Sequence, residues 1–399
     1  MKIEGAMKKR KMSAAMTFIV LFGMVSLFSD MTHESANSIR GAFLSLAGAS
    51  AAVIGFVSGL GELVGYGLRY VFGRLTDRTR CYWPMVLFGY ALDVVAVPAL
   101  ALVGRHGWVL ACALLIVQRL GKAIKKPAKD TVMSFAATQE GVGKSFAIQE
   151  LLDQIGAVFG PVLLYVIMLF QHRDDTFSDY RTCFAFLAIP GTITLLLLWL
   201  TYKRFPHPEN FEPEPKEYVP FHLDKRFVIY ITGVCLFAFG FADYSLIVMH
   251  FSRQHLFTAA VLPLLYALAM LTDAASAFVF GWMYDRHARL SLVVSTLVAA
   301  PFAVFAFLGG SAASAVVGVV LWGIGMGAQE SILKAAVATM VPKRSRATGY
   351  GIFECCFGAA WFLGSWLLGV LYDQSLFAMT VVSVVAQLLA AAMFCWRAR

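Results

Sequence analysis

Three titratable residues lie close together in the segment SDMTHESANSIR, which follows a long apolar stretch near the start of the chain. Asp30, His33 and Glu34 are spaced i, i+3 and i+4, which places them on one face of a helix about one turn apart. Two carboxyl groups at this spacing cannot both ionise freely, so the cluster is a candidate site for protons or another cation. The alternative is that the helix has already left the bilayer at Glu34 and the cluster is solvated.

Other ionisable residues also occur inside apolar stretches, where a charge costs at least ~2.5–3.5 kcal/mol at the centre of a membrane helix. Glu62 and Arg69 lie seven residues apart on nearly the same helix face, which predicts that Arg69 pairs with Glu62 or Asp30. For each remaining acid there are two interpretations. It forms a structural ion pair or lies at the cytoplasmic end of its helix, or it binds the proton or the substrate directly. Because acids greatly outnumber bases here, we expect protons or cationic groups rather than an anionic substrate. These remaining acids are Asp93, Glu150, Asp153, Asp243, Asp273, Glu330 and Glu354.

The stretches that hold these residues have the composition of membrane helices. The chain is 59% hydrophobic with a mean hydropathy of +0.71, whereas soluble domains are roughly half apolar. Apolar runs of about 20 residues, the length that crosses a bilayer, recur about twelve times. We therefore expect an all-α membrane protein with twelve transmembrane helices. The runs are 14–38, 50–72, 83–104, 108–124, 145–170, 182–202, 227–250, 259–281, 290–309, 314–334, 348–371 and 376–396.

A polar, proline-rich segment, 203–226, divides the chain into a six-helix bundle at 1–202 and another at 227–399. The two bundles share sequence features: FSD in the first helix matches FAD in the seventh, and FAIQELLDQIGAVFG aligns with YGIFECCFGAAWFLG. Such weak symmetry is typical of transporters built from repeats, whose substrate site lies between the halves.

The net charge of +9 follows membrane topology and requires no nucleic acid partner. Most of the 33 Lys and Arg residues fall in the N-terminal segment, in alternate loops and at the C-terminus. By the positive-inside rule, both termini and the segment 203–226 are expected to be cytoplasmic, in a multi-pass protein of the cytoplasmic (inner) membrane. The seven cysteines show no metal-ligand spacing, and we interpret them as small apolar side chains.

A charged motif occurs twice, as GRLTDR at 73–78 and GWMYDR at 281–286, each time between two apolar runs. The first copy is similar to the signature of the major facilitator superfamily, and the whole chain resembles that superfamily. The resemblance implies two pseudo-symmetric six-helix bundles and a cytoplasmic latch. The latch residues would be Gly73, Asp77, Arg78, Gly281, Asp285 and Arg286.

In such a latch, the glycine permits close helix packing and the aspartate faces the positive end of a helix in the other half. The resemblance places Asp77 opposite the start of helix 11 near Thr348, and Asp285 opposite the start of helix 5 near Ser145. Both copies lack the hinge glycine that the family pattern has after Asp-Arg-x.

Two further segments resemble family motifs. QRLGKA, at 118–123, is similar to the motif that carries an arginine linked to proton coupling, which would be Arg119. GAVFGP is similar to a motif of antiporters, in which Gly156 and Gly160 permit close helix contact and Pro161 permits a bend. The segment 326–353 resembles one that recurs in uncharacterised bacterial members.

These features predict a secondary active transporter rather than an enzyme. We expect proton-coupled export of a small amphipathic or cationic solute, with proton-coupled import of a nutrient or metabolite as the alternative. A non-transporting membrane enzyme or sensor is a remote alternative. The sequence has no P-loop and no Cys or His residues at the spacing of zinc ligands. We therefore expect no catalytic residues, no metal and no cofactor. The expected partners are a small-molecule substrate, protons or another coupling cation, and the lipid bilayer around a monomer.

Overall fold

The computed structural model describes residues 13–171, 175–207, 224–333, 336–337, 340–341 and 346–395. Within these ranges, the side chains of 77, 138, 142–144, 146–147, 329–330 and 346–348 are also left undescribed. The middle of the predicted linker, 208–223, therefore lies outside the described residues, and so do the side chains of Asp77, Glu330 and Thr348.

The first half of the chain forms six helices. Two of them begin at a serine whose hydroxyl accepts a hydrogen bond from the first helical turn: Ser13 from Met16 N at 2.9 Å, and Ser50 from Val53 N at 3.2 Å. The sixth consists of two helical segments that meet at Leu187. The six are α1 (Ala14–Leu46), α2 (Ala51–Thr79), α3 (Tyr82–Ala99), α4 (Trp108–Glu140), α5 (Val142–Leu169) and α6 (Thr176–Arg204).

The second half repeats this arrangement with two interruptions. Residues 241–243 are not helical and divide α7 into two segments, Lys225–Gly240 and Tyr244–Arg253. His287, with φ −141° and ψ 64°, separates α8 (261–286) from α9 (288–308) within one long helical stretch. The remaining helices are α10 (Ala312–Leu333), α11 (Arg346–Gln374) and α12 (Leu376–Cys395).

Ten helices in the described part of the chain are long and apolar enough to cross a membrane. One of them, Val261–Leu308, has 48 residues; at a rise of 1.5 Å per residue it spans on the order of 70 Å, enough for two crossings by α8 and α9. The charged helix α4 is not among the ten but is 33 residues long. The all-α fold is thus confirmed, and the helices are compatible with twelve crossings.

Small residues allow equivalent helices of the two halves to touch backbone to backbone. A Cβ at Gly156 would lie 2.3 Å from Leu27 O, and one at Gly160 would lie 2.4 Å from Met31 O, so α5 packs directly on α1. In the second half, a Cβ at Gly364 of α11 would lie 2.1 Å from Phe239 O of α7. Any side chain at these glycines would separate the helix pair.

We call the end of the bundle at which α1 ends and α2 begins the distal end, and the opposite end the proximal end. The two halves meet closely at the distal end. A Cβ at Gly41 of α1 would lie 1.8 Å from Ser245 O of α7. The carboxylate of Asp373, at the end of α11, accepts a hydrogen bond from Ala52 N at 3.0 Å, in the first turn of α2. Here a carboxylate interacts favourably with the positive end of the α2 dipole.

Two helices are longer than their apolar runs predict. The run 14–38 belongs to a helix that continues to Leu46, so the helix itself does not end near Glu34. The run 108–124 belongs to α4, which continues to Glu140. Apolar runs detect side chains that face lipid, and they end where a helix turns polar residues towards other helices.

The two copies of the charged motif lie at the proximal end, at α2–α3 and α8–α9, but their glycines are not at close contacts between described residues. Nothing lies within 4 Å of a Cβ at Gly281, and one at Gly73 would be 3.6 Å from Pro127. The expected packing role of these two glycines is therefore not observed. Asp285 is exposed and makes no hydrogen bond or ion pair with a described residue. Ser145 donates to Gly141 O in its own helix. The latch stays a prediction.

Candidate functional site

A cavity of about 260 Å³ lies between the two halves, and its two walls differ chemically. The wall from α1–α5 is made mainly of ionisable side chains. The wall from α7, α8, α10 and α11 contains an aromatic surface. We call this surface the aromatic wall; it consists of Tyr244, Tyr266, Trp322, Phe357 and Trp361.

All ten residues that the sequence singles out for coupling or substrate binding line this cavity, whereas the five latch residues that the structure describes do not. α1 contributes three of the ten, α2 and α5 two each, and three other helices the rest. The cavity thus brings together side chains from both halves of the chain. The ten are Asp30, His33, Glu34, Glu62, Arg69, Arg119, Glu150, Asp153, Asp243 and Asp273.

Four lysines of α4 also line the cavity, although the sequence analysis does not single them out: Lys122, Lys125, Lys126 and Lys129. The sequence analysis expects acids to outnumber bases greatly, but the cavity lining contains eight Asp and Glu residues against seven Lys and Arg. With Arg119, these lysines follow a spacing of three and four residues, which keeps them on one face of α4. That spacing was the available signal.

Two arginines pair differently from the prediction. Arg119 of α4 binds Glu62 of α2, with Nη2 2.7 Å from Oε1. Arg69 binds Glu354 of α11, with Nη1 3.2 Å from Oε1, and its guanidinium also stacks on Tyr66. The predicted pairing of Arg69 with Glu62 or Asp30 is therefore wrong. Helix spacing identifies residues on one face but does not identify their partner on the neighbouring helix.

Lys125 and Asp93 form the centre of a buried network that joins α4, α3 and α1. The Lys125 ammonium forms an ion pair with Asp93, donates to Ser29 Oγ at 3.0 Å, and lies 3.9 Å from the centre of the Tyr90 ring. Gln118 donates to the second carboxylate oxygen of Asp93 at 2.7 Å. Since Lys125 and Gln118 bind both carboxylate oxygens of Asp93, this residue acts as a structural counter-ion.

Lys129 lies one helical turn further towards the proximal end. Its ammonium donates to Ser26 Oγ of α1 at 2.5 Å and lies 3.9 Å from the Asp153 carboxylate of α5. Both α1 and α5 are thereby attached to α4 through a charged side chain. Because the ion pair with Asp153 is long, it depends on how α5 is positioned.

Asp30 and Lys122 have no ion pair with any described residue. Asp30 is half-buried and makes no hydrogen bond there, and the charges that act on it belong to Asp153, Lys129, Lys122 and Glu34. The Lys122 ammonium lies 3.4 Å from His33 Nε2. The lining of the cavity therefore includes an anionic group, Asp30, and a cationic group, Lys122, that form no ion pair with a described residue.

Glu34 links the charged wall to the aromatic wall. Its carboxylate accepts a hydrogen bond from Tyr266 of α8 at 2.5 Å and another from Asn37 at 2.9 Å. The Tyr266 bond crosses from the first half to the second. It therefore responds to any movement of one half relative to the other.

An ion pair between the halves closes the distal side of the cavity. Arg40 of α1 donates to Asp243 at 3.1 Å and to Ser245 at 2.9 Å. Asp243 lies in the interruption of α7 and caps the segment that follows it, accepting from Ser245 N at 2.8 Å. The carbonyl of Ala242 accepts from the Trp322 indole at 2.9 Å, so the non-helical backbone is satisfied inside the protein. Arg40 follows the apolar run 14–38, and the structure buries it within α1.

Residues 12–364 and 232–399 match the sequence profile of the Major Facilitator Superfamily. The chain belongs to this superfamily. As a member of the superfamily it is a multi-pass secondary transporter with a small-molecule substrate. Among the described residues, no group of three His, Cys, Asp or Glu side chains could hold a metal ion.

Relatives of this superfamily member occur in bacteria and archaea. An uncharacterized protein of Mycobacterium tuberculosis (strain ATCC 25618 / H37Rv) is 38% identical over 387 residues, which cover 95% of this chain and 92% of that protein. An uncharacterized MFS-type transporter of Methanocaldococcus jannaschii is 24% identical over 367 residues, or 90% of this chain and 89% of that one.

A solved structure shows the same superfamily fold. The crystal structure of a bacterial homolog to the human lysosomal transporter Spinster, inward-facing and unoccupied, has a TM-score of 0.73. It is 14% identical and covers 96% of this chain and 99% of its own. This similarity establishes the arrangement of the helices.

Proposed function

We propose that the protein moves a small amphipathic solute across the cytoplasmic membrane by alternating access, coupled to protons that Asp30 carries. The observation that supports this most directly is the position of Asp30: it lies in the cavity between the halves without a hydrogen bond or ion pair to a described residue. A carboxylate without a partner is costly to carry through an occluded state, whereas a protonated carboxyl group is not.

Other acids of the first half serve as partners of basic or polar side chains. Glu62, Asp93 and Asp153 face Arg119, Lys125 and Lys129, and Glu34 accepts two hydrogen bonds. Protonating one of them would leave a buried base without its counter-ion or weaken a hydrogen bond. Asp30 has no such bond to lose, which supports its role as the proton-carrying group.

The chemistry of the two walls supports an amphipathic solute. A polar or charged group fits the wall from α1–α5, and an apolar body fits the aromatic wall from the second half. Since the two walls belong to different halves, one solute molecule contacts both. Alternating access needs such a site, because the solute then responds to the relative position of the halves.

Two directions of transport are supported by different observations. The GAVFGP motif favours export in exchange for protons, as in antiporters. Lys122 favours the alternative, import together with protons. An acidic group bound at Lys122 brings a negative charge towards Asp30 and makes proton uptake there easier, so solute and proton bind together. A cationic solute would have the opposite effect and would suit exchange.

The test is transport by purified protein in proteoliposomes. A solute identified by its stabilisation of the protein is supplied with and without an imposed pH gradient. Wild-type protein should build up the solute only with the gradient. Asp30→Asn should bind and exchange the solute but lose gradient-driven accumulation, and Glu34→Gln should lose it less completely. Asp130→Asn, at an exposed ion pair with Lys126, is the matched control and should transport normally.

If Asp30→Asn accumulates solute like the wild type, with the same pH profile, then Asp30 does not carry the coupling proton. The next groups to examine would then be Glu150, Asp153 and Arg119. An inward gradient that drives accumulation supports import, and a gradient that drives loss of preloaded solute supports export.

A further inference from the structure

We propose that Lys122 binds a carboxylate of the transported solute, while the aromatic wall holds an apolar part of the same molecule. This makes the substrate a small amphipathic organic acid. The inference rests on the transport function proposed above and adds the chemical class of the solute to it.

Lys122 differs from the other basic residues that line the cavity. Each of the other six has a carboxylate within 4.0 Å, and Lys122 has none among the described residues. A cation within a membrane protein needs a counter-ion, so a cation that has no carboxylate of the protein beside it is a candidate binding group for an anion. The six pairs are Arg40–Asp243, Arg69–Glu354, Arg119–Glu62, Lys125–Asp93, Lys126–Asp130 and Lys129–Asp153.

The neighbour of Lys122 does not take the place of a counter-ion. His33 Nε2, at 3.4 Å, offers one weak contact to an ammonium that has three donors. Glu34 acts on Lys122 only at a distance, since its carboxylate is occupied by Tyr266 and Asn37. The ammonium therefore keeps hydrogen-bond donors for a ligand.

The aromatic wall begins next to this group. Tyr266, which is bound to Glu34, packs edge-on against Tyr244 with ring centres 4.6 Å apart, and Tyr244 packs against Trp322 at 5.1 Å. Because the rings pack against one another, the aromatic wall is preorganised for a ligand. An aromatic or aliphatic body that extends from a carboxylate at Lys122 meets this surface.

Asp30 is the competing group, because it would attract an amine. Two lysines act on Asp30, Lys122 and Lys129, so an ammonium bound there would be repelled by two like charges. A carboxylate at Lys122 is attracted by Lys122 itself and by Arg119 on the same face of α4. Three acids also act on this position, but Glu62 is paired with Arg119 and Glu34 is bound to Tyr266 and Asn37. The third, Asp30, is neutral in the protonated state proposed above. The local charges thus favour an acid over an amine.

The test uses four probes of similar size: 3-phenylpropionate, 3-phenylpropanamide, 3-phenylpropylamine and phenylalanine. Their binding to purified full-length protein is followed by thermal stabilisation and by the change in intrinsic tryptophan fluorescence, to which Trp322 and Trp361 of the cavity contribute. The acid should bind about tenfold or more tightly than the amide, the ratio expected for a hydrogen bond to a charged group. The amine should bind more weakly than the amide.

Two matched variants assign this preference to one side chain. Lys122→Gln should bind the acid and the amide equally. Lys203→Gln makes the same change at an exposed lysine at the end of α6, away from the cavity, and should keep the wild-type ratio. Wild-type protein that binds the acid no better than the amide, or binds the amine most tightly, overturns the proposal, as does a preference that survives in Lys122→Gln. Because binding is measured without a pH gradient, failure of proton-coupled transport is scored separately, in proteoliposomes.

Discussion

Arg40 and Asp243 form a buried ion pair of 3.1 Å between side chains that are 203 residues apart in the chain. One lies near the end of α1, and the other caps the second segment of α7. The pair therefore joins the two halves at the distal floor of the cavity. Closure on this side depends on a charge interaction that is shielded from water.

Removing one partner of this pair should loosen the distal end. Arg40→Gln leaves Asp243 buried without its counter-ion, which destabilises the closed arrangement by about 3–5 kcal/mol. Distances between spin labels on the distal ends of α1 and α7 should lengthen and broaden. Arg105→Gln is the control, since Arg105 pairs with Asp175 within the first half and is largely exposed. Unchanged distances in Arg40→Gln would show that backbone packing alone closes the distal end.

Backbone packing at Gly41 should be needed for the same closure. A Cβ here would lie 1.8 Å from Ser245 O, so Gly41→Ala forces α1 and α7 apart. We expect a distal end that is more accessible to thiol reagents and transport reduced by an order of magnitude or more, as for a misplaced substrate-positioning element. Gly65→Ala tests the same change where nothing lies within 4 Å of the new Cβ among the described residues, and it should behave like the wild type. Equal labelling of both variants would contradict this.

Binding of an organic acid should strengthen as the pH falls. A carboxylate at Lys122 favours the protonated form of Asp30, and by reciprocity a protonated Asp30 favours the carboxylate, with a coupling of about 1–3 kcal/mol. The affinity for 3-phenylpropionate should therefore rise between pH 8 and pH 6. In Asp30→Asn the position is always neutral, so affinity should be high and independent of pH over this range. A pH dependence that persists in this variant would assign the effect to another group.

The topology can be checked at the segment between the halves. The charge distribution predicts that 203–226 is cytoplasmic, and the described ends of this segment agree with its place between α6 and α7. A single cysteine at Lys216, in a variant without native cysteines, should react with a membrane-impermeant maleimide only in inverted vesicles or lysed cells. Reaction in intact cells would reverse the predicted orientation.

The sequence predicts the fold well because its signal is local. Long apolar runs and a polar division at 203–226 follow from the thickness of the bilayer and need no knowledge of packing. Helical spacing also brings Asp30, His33 and Glu34 to one face, and the structure places that face in the cavity.

The pairs between helices could not be predicted in this way. Arg69 and Glu62 share a helix face, yet they bind Glu354 and Arg119 on other helices. Their partners depend on which helices are neighbours and on how they are rotated. Lys125 and Lys129 could not be identified from the sequence, because they follow an apolar run. A charged residue in that position can lie in a loop or line a polar cavity, and the sequence looks the same in both cases.

The charged face of α4 also has a consequence for how the protein is made. With Arg119 and four lysines between 119 and 129, this helix lacks the apolarity to enter a bilayer by itself, since each such residue near the centre opposes insertion by ~2.5–3.5 kcal/mol. Glu62 and Asp93 reach the translocon earlier, on α2 and α3, and they are the partners of Arg119 and Lys125. During synthesis α2 and α3 should therefore remain at the translocon until α4 emerges, so that these three helices enter the lipid as a group with their charges already matched.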